Sequence, residues 1–155
     1  MQSWLRNGLI AGAVSATATL LLGLLLAAVK SDYCQAGIIG VGHPSAVDIA
    51  LNLSGLALLL LLAGIAGRQT ANAGASKGKA ALAGLVTGTI SGVGTLALNV
   101  VQFNQYTACM VRGGIAGSGM DMRPTLLIMA AVAIAIGAGL AVIAGSLGAA
   151  ITRRR

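Results

Sequence analysis

The sequence contains no glutamate, only three aspartates, one histidine, two cysteines and two prolines. Charged residues make up 8% of the 155-residue chain, where a soluble domain averages about 25%. So little charge excludes a surface that keeps a globule dispersed in water, and it equally excludes a disordered tail or a nucleic-acid module. The same scarcity leaves few groups for acid–base or nucleophilic chemistry, so no enzyme is expected. What is present is apolar: 57% hydrophobic residues, a mean hydropathy of +0.91 and 23 glycines.

The apolar residues fall into four long runs, at 9–29, 47–66, 80–101 and 125–151, with no Lys, Arg or Glu inside any of them. A hydrocarbon core of about 30 Å needs about 20 helical residues. Continuous rather than alternating hydrophobicity argues against a strand barrel. The first run exceeds the apolar region of an ordinary signal peptide and reads as a retained span. The expected fold is all-α: an integral membrane four-helix bundle built from two tandem, like-oriented transmembrane hairpins, 1–66 and 80–155, joined by a cytoplasmic linker at 67–79.

Cations set the expected direction. Arg6, Arg68, Lys77, Lys79 and Arg153 to Arg155 lie at the termini and in the middle connection, while Lys30, Arg112 and Arg123 are balanced by Asp32, Asp48 and Asp121. Both termini are therefore expected in the cytoplasm, and loops 30–45 and 102–124 outside it. The net charge of +7 then reflects topology and contact with anionic headgroups, with no nucleic-acid partner.

The two halves resemble each other. Ile10-Ala11-Gly12-x-Val14-Ser15-x-Thr17 matches Leu82-Ala83-Gly84-x-Val86-Thr87-x-Thr89, and Tyr33 and Cys34 match Tyr106 and Cys109. Gly37-Ile38-x-Gly40-x-Gly42 matches Gly114-Ile115-x-Gly117-x-Gly119, Pro44-Ser45 matches Pro124-Thr125, and Ala63-Gly64 matches Ala144-Gly145. The offset grows steadily along the chain, as expected for a duplication with a longer second loop. The halves would then be related by a pseudo-twofold axis along the membrane normal. The glycine runs lack the lysine and βαβ context of a phosphate loop.

Helices in lipid associate through close packing of small residues. Gly84, Gly88 and Gly92 form a spacing-four row on the third span, and Ala133, Gly137, Ala141, Gly145 and Ala149 form one on the fourth. Gly8, Gly12 and Ala16 share a face of the first. The second span is leucine-rich, and is expected to meet mostly lipid or a partner. The third span also carries a polar row, Thr87, Ser91, Thr95 and Asn99, which suits either a polar lining or hydroxyls bonded across to Ser15 and Thr19.

Cys34 and Cys109 fall in the two outer loops and are expected to form a disulfide. Ser45 and Asp48 have the spacing of a capping box at the start of the second span, with Ser45 as N-cap. His43 has no partner at metal-ligand spacing, so no metal site is expected. No cofactor motif is present; lipid, quinone or pigment between spans stays open.

In size and in its four glycine-rich spans, the chain resembles the duplicated-hairpin proteolipids of rotary ATPases. That resemblance implies a carboxylate buried at mid-membrane. The fourth span holds no acid around Ile136 to Ala141, Asp48 lies near the interface, and the expected cytoplasmic termini run against that family's usual direction. The expected function is therefore a non-catalytic accessory or structural subunit of a larger membrane complex. It would act through helix packing and glycine-rich outer loops, with membrane lipids and other membrane subunits or copies of itself as partners. The alternative is a small homo-oligomeric channel or transporter lined by the polar row of the third span.

Overall fold

A computed structural model describes the backbone of residues 2–29, 46–112 and 123–152, and within them side chains outside 26–29, 46–49, 51–52, 98–99, 101–112, 123–126 and 129. Four helices account for nearly all of it: α1 (Ser3–Val29), α2 (Ala46–Asn72), α3 (Lys77–Arg112) and α4 (Arg123–Thr152). Each is long and apolar enough to cross a membrane, and no strand occurs among the described residues.

The helix ends differ from the expected spans in two places. α3 continues through 102–112, so that part of the expected outer loop is helical. No glycine or proline interrupts the chain between Gly94 and Gly113, so nothing stops the helix at the hydrocarbon boundary. At 36 residues it reaches roughly 54 Å at about 1.5 Å per residue, well beyond a hydrocarbon core. Likewise, most of 67–79 is helix; the turn itself is residues 73–76.

That turn is closed by backbone geometry. Gly74 adopts φ +75°, its N–H donates to the Ala71 carbonyl at 3.0 Å, and Ala75 N–H donates to the Thr70 carbonyl at 3.2 Å. This is a Schellman ending, which needs a left-handed residue and so favours glycine. Ser76 then starts α3, with its Oγ 3.4 Å from the Lys79 N–H.

The described bundle is a rhombus. α2 and α3 form its short diagonal and touch all other helices; α1 and α4 occupy opposite corners and do not meet among the described residues. Contacts of Gly8, Gly12 and Ala16 with residues 83–94 run in the same direction on both helices, so α1 and α3 are parallel. On α2 and α4 the pairs Leu59–Gly137, Gly64–Ala144 and Gly67–Gly145 rise together in the same way. A twofold axis exchanging the halves would make the α2–α3 and α4–α1 pairs equivalent, but among the described residues only the first forms. The repeat seen in the sequence has no such counterpart in the packing.

The distribution of residues is inverted relative to a soluble protein. Among the described residues, the largest fully buried side chains are Thr70, Thr87 and Ser15, and the buried apolar residues are alanines and Leu59. Leu25, Leu61, Ile128, Ile136 and Leu147 are all more than half exposed. Lipid tails are as apolar as leucine, so bulky side chains gain nothing by facing inward, and the interior goes to residues that let backbones approach.

Candidate functional site

The tightest seams between helices position the rest of the bundle. On α1–α3, a Cβ added to Gly8 would lie 2.8 Å from the Ala83 carbonyl oxygen, and one on Gly12 would lie 2.9 Å from Ile90 Cβ. Further along, the small residue switches helix: a Cβ on Gly94 would stand 2.9 Å from Ala16 Cβ. On α3–α4, a Cβ on Gly84 would overlap the Ala141 carbonyl, one on Gly88 would meet Ala138 Cα at 2.7 Å, and one on Gly92 would meet Ile134 at 2.9 Å. Gly137 differs: a Cβ there would reach only Leu59 Cδ2, at an ordinary 3.7 Å.

α2 is drawn fully into this scheme, which corrects its expected place facing lipid. Ala63, Ala66 and Thr70 are buried, and added Cβ atoms at Gly67 and Gly148 would overlap the carbonyls of Gly145 and Gly64. The outward side of α2 still carries bulky residues along its length, with Leu53 60% and Leu61 65% exposed. Gly145 is a junction of three helices, since its own Cβ would come 2.8 Å from the Ala80 carbonyl on α3. The signal was present as two glycine pairs at spacing three, Gly64/Gly67 and Gly145/Gly148. Spacing three shares a helix face as spacing four does.

The polar row of α3 divides between two environments. The Thr87 hydroxyl lies 2.9 Å from the Ala83 carbonyl and 3.3 Å from the Gly8 carbonyl of α1. Ser91 Oγ lies 2.9 Å from Ser15 Oγ, across the same seam. Thr95 donates to the Ser91 carbonyl, and Thr19 on α1 donates to the Ser15 carbonyl. A further bond not foreseen in the sequence, Asn7 Nδ2 to Thr70 Oγ1 at 3.3 Å, links α1 to α2. Among the described residues, every buried side-chain nitrogen or oxygen has a partner. The side chains of Asn99, Cys109 and Asp48 lie outside the described residues, although their backbones are helical, and Cys34, His43 and Ser45 lie outside them entirely.

Residues of all four helices line a partly open cavity of about 210 Å³. Thr19 of α1, Gly55 and Leu59 of α2, Ser91 and Thr95 of α3 and Ile134 of α4 line it. Gly55 has no atom within 4 Å of where its Cβ would stand. The cavity lies roughly 20–25 Å along the helices from the α2–α3 turn, counting about 1.5 Å per residue, which is hydrocarbon depth. The spacing-four row of α4 explains its position: Ala141, Gly145 and Ala149 are buried in the seams, while Ala133 and Gly137 open onto the cavity.

No protein-family model, no curated protein and no solved structure matches the chain.

Proposed function

We propose that this chain is a non-catalytic four-span membrane protein that serves as an accessory or structural subunit of a larger membrane complex. The observation carrying this is a second small-residue row on α4 that the bundle does not use. Ala131, Ala135 and Gly139 recur at spacing four on the exposed side of α4. A Cβ on Gly139 would have nothing within 4 Å. Small-residue rows are how helices meet in lipid, and this one faces outward between Val132, Ile136 and Ile143, all more than half exposed.

The hydroxyls of the interior support a packing role, because Thr87, Ser91 and Thr95 are engaged by the bundle's own carbonyls and hydroxyls. The cation pattern supports a cytoplasmic placement for the end formed by the N-terminus, the α2–α3 turn and the C-terminus. Exposed Arg6, Arg68, Lys77 and Lys79 crowd that end.

Purification in mild detergent tests the proposal. The wild-type chain should co-migrate with larger partners or with copies of itself. Gly139→Leu, which clashes with nothing inside the bundle, should release it as a folded monomer. Recovery of the wild type solely as a free monomer would contradict the proposal.

One observation favours a second reading, a small homo-oligomeric channel: Ser91 and Thr95 border the cavity. Reconstituted wild-type protein should then conduct in a liposome flux assay and Thr95→Leu should reduce the flux, whereas an inert wild type removes the idea.

A further inference from the structure

We infer that the cavity between the four helices is a binding site for a neutral, ring-sized apolar group carrying one hydrogen-bond acceptor oxygen, such as an aryl ketone. This goes beyond the subunit role and does not depend on it.

Size sets the class of ligand. An apolar cavity of about 150 Å³ in a protein core accepts benzene. The cavity here is about 210 Å³, partly open, and its apolar wall includes Leu56, Leu59, Leu96, Ile134, Ala130 and Ala133. That is room for one six-membered ring with a short substituent. A charged or strongly hydrated ligand would lose its solvation at this depth without a counter-charge, so the ligand is neutral.

Hydrogen-bond bookkeeping sets the polar group. Thr19 and Thr95 have donated their protons to the Ser15 and Ser91 carbonyls. Ser15 and Ser91 together own two hydroxyl protons but share one hydrogen bond, at 2.9 Å. One proton therefore remains to donate. Ser15 is fully buried in the seam, whereas Ser91, 4% exposed, borders the cavity. When Ser15 donates to Ser91, the Ser91 proton is free for a ligand oxygen, and an acceptor brought into an apolar wall is stabilised by meeting it. The site thus offers one donor beside an apolar slot, which selects a carbonyl over the same ring without one.

The test uses the full chain in detergent micelles and fluorine NMR of para-fluoroacetophenone, with para-fluoroethylbenzene as the ligand lacking the oxygen. The wild type should bind the ketone saturably at one site. Gly55→Leu, which fills the cavity where no atom stands, should abolish binding of both probes. Ser91→Ala should weaken the ketone about three- to tenfold and leave para-fluoroethylbenzene unchanged. Ser15→Ala breaks the same seam bond yet leaves the Ser91 hydroxyl in place, so it should retain the ketone; this separates ligand contact from structural damage. Non-saturable partitioning in the wild type would overturn the inference. So would binding in Gly55→Leu equal to wild type, or equal losses in Ser15→Ala and Ser91→Ala.

Discussion

Gly64 and Gly148 meet backbone to backbone across the α2–α4 seam: a Cβ on Gly148 would overlap the Gly64 carbonyl oxygen. Three residues along, a Cβ on Gly67 would overlap the Gly145 carbonyl in the same way. Neither contact can yield by moving a flexible side chain, because the obstructing atoms are backbone. Gly148→Ala and Gly67→Ala should each destabilise the bundle by about 1–3 kcal/mol through overpacking. Gly55→Ala and Gly139→Ala, at positions with open space, should be neutral or stabilising by up to about 1 kcal/mol, because alanine is the better helix former. Reversible unfolding in mixed micelles, followed by circular dichroism, separates the two groups. Equal effects at all four positions would contradict the seam assignment.

Hydroxyl bonds should matter less than glycine contacts. Interhelical hydrogen bonds in membrane proteins average about 0.6 kcal/mol, because the separated helices find other partners. A double-mutant cycle with Ser15→Ala and Ser91→Ala should return a coupling of about that size. Thr87→Val, which keeps the shape while removing the bonds to Gly8 and Ala83, should cost less than Gly84→Ala. The same unfolding assay checks both.

Much of the fold was legible because hydrophobic runs of membrane length have few alternatives. The four helices follow from that, and the spacing-four rows named Gly84, Gly88 and Ala141, though not Ala138, which Gly88 also meets. The partnership of α2 was not legible. Its leucines dominate the composition of the segment, while Gly64 and Gly67 let its backbone reach α4 beside buried Ala63, Ala66 and Thr70. The length of α3 was missed for a related reason: polarity after Val101 marks the edge of the hydrocarbon, whereas the helix runs on to Arg112 with no glycine or proline to interrupt it. The cavity was legible only in Ser91 and Thr95, two members of the polar row that border it. All four helices line it, Gly55 contributes by having no side chain, and no spacing rule marks such a place.

The cysteines give an independent check on the parts of the chain beyond the described bundle. Cys34 and Cys109 should be joined in protein purified without reductant. Peptide mass mapping should find the two cysteine-bearing peptides linked, then separated by reductant. Free thiols at both positions would remove the tie between hairpins and count against an extracytoplasmic position for 30–45.

Four crossings, with the N-terminus and the α2–α3 turn on one side, underlie every contact described above. Side-specific thiol labelling tests this most directly, in a background of Cys34→Ser and Cys109→Ser, with single cysteines introduced as Gln2→Cys and Ala73→Cys at exposed positions. An impermeant maleimide applied to intact cells should label neither, and both should react once the membrane is permeabilised. Labelling of one position but not the other in intact cells would place them on opposite sides, leaving an odd number of crossings between them and contradicting the bundle.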